Sequence, residues 1–215
     1  MKKSLLAMLL AVALVAPVFA AEKNMWVGGS LGYSNVSAKA APDTGDADGS
    51  EFTIAPEFGY SINEKWDIGL DISYTKTKNR ILTTDDINKL IPAVNESSDS
   101  DTIGIAPFAR YHIAKVAGID VMLKGSLFYN TSTINNLWSE DVKVNSYGIA
   151  IAPVVSYSIN DTWSIGATLN FLELGFAQYS SSDLKNSAGD EYSCSKFGFN
   201  LNDGSLISIG FSYHF

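Results

Sequence analysis

IAPEFGYSINEKWDIGLDISY, Ile54 to Tyr74, returns later in the chain as IAPVVSYSINDTWSIGATLNF, Ile151 to Phe171. Each copy reads as two stretches of alternation joined by a short polar turn. In the first copy Trp66, Ile68, Leu70, Ile72 and Tyr74 fall on one face, and Asp67, Gly69, Asp71 and Ser73 on the other. A period of two is the mark of a strand. A third fragment, IAPFARYHIA, begins at Ile105. All three carry a proline, namely Pro56, Pro107 and Pro153. Proline has no N–H for a ladder. Each is therefore expected to leave a neighbouring carbonyl without its partner, or to sit at a local bulge.

Similar segments cover roughly 25–34, 51–60, 66–76, 102–112, 118–129, 145–157, 163–176 and 205–215. That makes about eight strands, several longer than the five or six residues usual in soluble sheets. Short connections carry SINEK, IAKVAG and SINDT. Long ones cover roughly 35–50, 77–101, 130–144 and 177–204, so short turns gather at one end and long loops at the other. The repeating unit is a hairpin with a long return loop, unlike the stacked repeats of a solenoid. The simplest closed solution is one sheet joined to itself.

The first twenty residues stand apart. MKK is a positive start, an apolar run follows, and Val18-Phe19-Ala20 is a cleavage signature. Residues 1–20 are expected to be a secretory signal peptide and 21–215 a single barrel domain. Beyond it no window of about twenty apolar residues appears, so no transmembrane helix is expected. Cys194 is the only cysteine, which leaves no internal disulfide. The net charge of -8 argues against nucleic acid as a partner.

The apolar face decides the solvent. A soluble ligand-carrying barrel turns its apolar residues inward. Here one face holds Trp, Ile, Leu, Phe and Tyr in nearly every segment, while the other is Gly, Ser, Thr, Ala and a few charges. An eight-stranded barrel has no interior room for so many bulky side chains. The bulky face must point outward, into lipid. Lipid also demands closure, because no water there satisfies a free sheet edge. Tyr60, Trp66, Tyr111, Tyr157, Trp163 and Tyr213 flank the short turns and fit an aromatic girdle at that interface. Tyr33, Tyr74 and Tyr129 lie near the long loops and fit the other.

The fold expected is thus all-β: an eight-stranded antiparallel up-and-down transmembrane β-barrel with short periplasmic turns and long extracellular loops. The signal peptide, the alternating strands, the opening WVGGSLGYS from Trp26 and the last strand LISIGFSYHF resemble the small OmpA/OmpX-type outer-membrane barrels of Gram-negative bacteria. The resemblance covers essentially the whole mature chain. It implies that Phe211, Tyr213 and Phe215 form the C-terminal signal read by the barrel-assembly machinery. It also implies an outer-membrane location among lipid and lipopolysaccharide, and a lumen plugged by side chains.

The lumen charges on the small face are Glu57, Asp67, Asp71, Arg110, Asp120 and Lys124. Isolated charges there are costly, so pairing is expected. If Tyr111 faces Ile119 across the turn, Arg110 falls opposite Asp120. Lys124 lies at about the level of Glu57 and Asp71. His112 and His214 fall near the short-turn end and read as interfacial or lumen-mouth residues. No Ser-His-acid set is apparent at the outer rim, so no catalytic residue is assigned. No metal or cofactor is expected. The acidic loop Asp43, Asp46, Asp48 and Glu51 lacks full EF-hand spacing and reads as solvated. TTDDINKLIP, from Thr83, has the caps of a short helix. Cys194 reads as a passive loop cysteine, and KFGFNL as an extension of the last strand above the membrane.

Function is then expected at the loops. The first expectation is surface interaction, adhesion or envelope integrity, with an extracellular ligand on the loops. The alternatives are a narrow channel for small or apolar solutes, or a lipid A-modifying enzyme. A closed barrel migrates differently on gels before and after boiling. The unboiled protein is expected to show that shift, and identical migration would contradict the fold.

Overall fold

The computed structural model describes residues 24–38, 47–80, 98–137, 140–185, 191–199 and 207–215. The signal-peptide segment, Asp43, Asp46 and the helix expected near Thr84 to Pro92 lie outside the described residues. Six long strands come first: β1 (Met25–Ala38), β2 (Ala47–Asn63), β3 (Trp66–Arg80), β4 (Ser98–Val116), β5 (Ile119–Leu137) and β6 (Glu140–Ser158). Then follow β7 (Trp163–Leu169), a 3₁₀ turn (Asn170–Leu172), β8 (Leu174–Lys185), β9 (Glu191–Phe199) and β10 (Ile207–His214). Each of β1 to β6 pairs antiparallel with the next, and β10 joins β7 to β1. The result is a closed eight-stranded antiparallel barrel. Above it β8 continues beside β6, and β9 beside β8.

The wall follows the sequence alternation. Ile68, Ile105, Leu127, Ile149 and Phe211 are exposed on the outside, while Phe108, Arg110, Ala152 and Val154 are buried inside. A belt of exposed Ile, Leu and Phe around a closed ladder makes this a transmembrane barrel.

Strand lengths differ from expectation. β4, β5 and β6 each run to 19 residues, where a span needs about 9–11. The stretches expected as loops at 130–144 and 177–204 are largely ribbon: β5 pairs β6 from Ile119↔Tyr157 up to Leu137↔Glu140, and β8 pairs β9. Asp48 and Glu51 belong to β2 and not to a loop. Beyond the lipid both faces meet water, so the ladder continues without apolar alternation to announce it.

The repeated sequence folds into repeated turns. Asn63 Oδ1 accepts from the N–H of Lys65 (2.9 Å) and Trp66 (3.1 Å). Asn160 Oδ1 accepts from Thr162 (2.9 Å) and Trp163 (2.8 Å). The same Asn in SINEKW and SINDTW thus caps both turns. The third short turn is tighter. Val116 pairs Ile119, and Ala117 and Gly118 both have positive φ, 52° and 82°. That is the primed geometry suited to two-residue hairpins, and alanine is strained in it.

The three prolines interrupt the wall in a common direction. Hydrogen bonds at the short-turn end fix which residues of β2, β4 and β6 point to which neighbour: Ser61 bonds Asn24, His112 bonds Lys65, and Ser158 bonds Gly118. By alternation, the nitrogens of Pro56, Pro107 and Pro153 all face the strand that follows. On those sides pairing lapses. Ile54↔Tyr74 is followed directly by Glu57↔Asp71, and Ile105↔Tyr129 by Phe108↔Ser126. The opposite sides are regular, with Gly29↔Pro56, Leu70↔Pro107 and Leu123↔Pro153.

Pro153 is different. Below it Val154 pairs Thr168, and above it Ile151 pairs Leu174. The facing strand has extruded residues there, through the turn Asn170–Leu172. The segment expected as one strand over 163–176 is therefore split.

Pro56→Ala and Pro107→Ala each restore one ladder donor. Both are expected to stabilise the barrel against urea in vesicles by about 1 kcal/mol, with a slowly exchanging amide at the new position. Pro153→Ala faces a displaced partner and gains no such bond. An equal gain at position 153 would contradict this account.

Candidate functional site in the barrel lumen

Small residues open the room that the lumen charges occupy. Gly59 lies directly against Trp26, and Gly69 against Phe108; a Cβ at either would overlap the ring. Trp26 and Phe108 are both buried inside the barrel, with ring centres 6.2 Å apart. The sequence reading placed only small and charged residues on this face. The signal for the exception was a glycine on the facing position of the neighbouring strand: Trp26↔Gly59 and Gly69↔Phe108 are direct register pairs.

The rings line a cation cluster. Arg110 Cζ lies 4.7 Å from the Trp26 ring centre and 4.8 Å from that of Phe108. Lys124 Nζ lies 4.1 Å from the Phe108 centre. An aromatic face attracts a cation most when water is excluded.

The carboxylates complete the cluster. Arg110 forms an ion pair with Glu57. Lys124 Nζ donates to Glu57 Oε2 and to Asp71 Oδ2, both at 2.6 Å. Glu57 therefore bridges two cations, and Lys124 bridges two carboxylates. Four adjacent strands, β2 to β5, supply the group.

Asp67 and Asp120 belong to a second cluster. His112 Nδ1 is 2.8 Å from Asp120 Oδ2, and Nε2 is 3.0 Å from Asp67 Oδ2. Arg110 does not lie opposite Asp120 as the turn geometry suggested. Arg110 pairs Lys124 in register, Tyr111 pairs Leu123, and Lys115 pairs Asp120. β4 runs on to Val116 and turns in two residues, Ala117 and Gly118, which carries Tyr111 up to Leu123; a further one-residue shift lies between His112 and Ala114. A bulge of this kind re-aims the side chains beyond it and leaves no trace in the alternation.

The opposite wall is smooth. A cavity of about 220 Å³ lies between the ion clusters and Ser156, Ser164, Gly166, Thr168 and Ser212. At its short-turn mouth Ser164 Oγ and His214 Nε2 are 3.2 Å apart. This contact sits at the end away from the long ribbons, not at the outer rim.

On the outside, Trp66 and Tyr111 pack at 5.0 Å between ring centres, as do Trp163 with Tyr213 and Tyr213 with Phe215. Tyr60 pairs Met25, and Tyr157 pairs Ile119, at the same end. Phe211 is exposed on this outer register. Cys194, expected in a loop, lies on β9 opposite Tyr179 and forms no disulfide.

Removing Lys124 leaves Glu57 and Asp71 facing each other without their shared cation. Lys124→Met is expected to destabilise the barrel by about 3–5 kcal/mol, read from urea unfolding in vesicles. The double change Lys124→Met with Asp71→Asn is expected to recover part of that loss. A Lys124→Met midpoint equal to wild type would remove the cluster's structural role.

Comparison with solved structures supports the fold. The outer membrane protein OprG from Pseudomonas aeruginosa superposes with a TM-score of 0.50 at 14% identity, covering 90% of this chain and 96% of that one. Neisserial surface protein A gives 0.46 at 17%, covering 90% and 98%. The attachment invasion locus protein Ail of Yersinia pestis gives 0.37 at 10%, covering 90% and 99%. No protein-family model matches the chain, and no curated sequence does. The closed ladder and the likeness to OprG give this chain the fold of the small eight-stranded outer-membrane β-barrels.

Proposed function

We propose that the chain is a non-enzymatic outer-membrane barrel that acts through its extracellular side, in surface interaction, adhesion or envelope integrity. The observation that carries this reading is the contrast between the two parts of the molecule. An ion and aromatic cluster occupies one side of the lumen, whereas β4–β6 run well past the length a membrane needs. Chain that stands above the lipid on a rigid wall is suited to recognition.

The remaining lumen space holds about seven waters at roughly 30 Å³ each, too little for a wide pore. In this reading Glu57, Asp71, Arg110 and Lys124 form the plug. The aromatic ring at the short-turn end sits at the periplasmic interface. Phe211, Tyr213 and Phe215 present the assembly signal, and the barrel is delivered by residues 1–20.

A narrow polar channel is the second reading, favoured by the smooth Ser and Gly wall beside the cavity. Planar-bilayer recording separates the two. Wild type is expected to show no steady conductance. Steady ion-selective channels that Arg110→Ala abolishes would overturn the plugged lumen.

A further inference from the structure

The smooth wall of the lumen carries a regular pattern. On β7 and β10 the register pairs Ser164↔Ser212, Gly166↔Gly210 and Thr168↔Ser208 succeed one another along the inward face. On the flanking strands Ser156 stands beside Gly166, and Ser30 beside Gly210. All of these residues line the lumen cavity. Two glycines thus make a bare floor, and six hydroxyls ring it. With a rise of about 3.3 Å per residue and strands about 4.8 Å apart, the ring is a frame roughly 13 Å long.

Packing does not require the floor to be bare at Gly166. A Cβ there would come no closer than 3.4 Å to its neighbours, which is ordinary contact. It would enter the cavity instead. Gly210 differs, because a Cβ there would meet the Gly29 carbonyl at 2.7 Å.

The ionic wall faces this frame. Among the described residues that line the cavity, Glu57, Asp67, Asp71 and Asp120 stand against Arg110, Lys115 and Lys124. His112 lies between two of those carboxylates, and His214 rests against Ser164. Acids and bases nearly balance, so the space favours an uncharged occupant over an ion of either sign.

The same wall holds sealed polar atoms. Among the described residues, Trp26 Nε1, Arg110 Nε and Asp120 Oδ1 are buried with no hydrogen-bond partner. Trp26 is 3% exposed and Arg110 9%, and all three side chains line the cavity. An unpartnered buried polar atom is costly, so something is needed to complete it. The two nitrogens only donate, and a carboxylate oxygen only accepts. A hydroxyl group does both.

We propose that the lumen cavity is a seat for a small uncharged polyol, no larger than a single sugar ring, held between the glycine floor and the ionic wall. Its carbon skeleton lies over Gly166 and Gly210, and its hydroxyls bond the Ser and Thr frame. On the other side they accept from Trp26 Nε1 and Arg110 Nε and donate to Asp120 Oδ1. The cavity of about 220 Å³ sets the size limit, equal to about seven waters. The seat needs only the inward register of these residues. It stands whether or not the solute passes on, so neither a silent bilayer recording nor any result at the extracellular ribbons touches it.

The test is a titration of the wild-type barrel, refolded in lipid nanodiscs with ¹⁵N-labelled tryptophan, with glucose as the single-ring polyol. The Trp26 indole N–H resonance is assigned by elimination, from Trp66→Phe, Trp138→Phe and Trp163→Phe. It is expected to shift saturably in the millimolar range, while Trp66 and Trp163 in the outer aromatic ring stay still. Sucrose, with two rings, should leave Trp26 unmoved. Thr168→Val keeps the shape and removes a hydroxyl, and should weaken glucose by roughly fivefold, the effect of one neutral hydrogen bond. Gly166→Ala fills the floor without a clash and should weaken it at least as much. Both variants are expected to keep the gel shift on boiling. A Trp26 resonance that glucose does not move means a cavity filled by water only, and overturns the seat. An equal shift with sucrose, or unchanged glucose affinity in a folded Thr168→Val or Gly166→Ala barrel, overturns its placement on the glycine floor.

Discussion

Inside a bilayer no water waits to bond a peptide N–H or C=O. That absence governs most of this molecule. It requires every strand to find two neighbours, so the sheet must close on itself. It explains why a chain without disulfides holds together, since the ladder runs around the whole lower barrel. It also explains why a missing donor matters more here than in a soluble sheet. At Pro56 and Pro107 the wall absorbs the loss without a change of register. Opposite Pro153 the register does change, and the facing strand breaks at Asn170–Leu172.

Closing eight strands fixes a narrow bore, and the bore dictates the electrostatics. Charges inside it sit close to one another and far from bulk water, so each needs a partner within direct reach. The ion pairs of Arg110 and Lys124 meet that need through a shared Glu57. The rings of Trp26 and Phe108 cover the cations and fill the volume that Gly59 and Gly69 leave. The lumen is thus divided lengthwise into an ionic half and a smooth half, and only the smooth half borders empty space.

The sequence made the alternation, the outward apolar belt and the strand number legible, because lipid imposes one solvent on one face. Tyr60, Trp66, Tyr111, Tyr157, Trp163 and Tyr213 could be placed at one end for the same reason. Legibility ended where lipid ended. Asp99–Asp101 and Thr131–Thr133 carry no apolar residue to alternate, so nothing in their pattern separates ribbon from loop. Register was lost at the tight turn Ala117–Gly118, which pairs Arg110 with Lys124 beside Glu57 and leaves Asp120 to the histidine. The break at Asn170 had no local signature, since NFLE alternates poorly but not conspicuously. It lies across the wall from Pro153, between Val154↔Thr168 and Ile151↔Leu174.

The contact between Trp26 and Gly59 bears on the history of this chain. A side chain at position 59 cannot coexist with the indole, so neither residue is free to change first in every direction. Trp26 can shrink while Gly59 stays, leaving a hollow. Gly59 can grow only after Trp26 has shrunk. The route between lineages with and without the inward tryptophan is therefore one-way in its order, and descendants that carry Ala or Ser at 59 must already have lost the ring at 26.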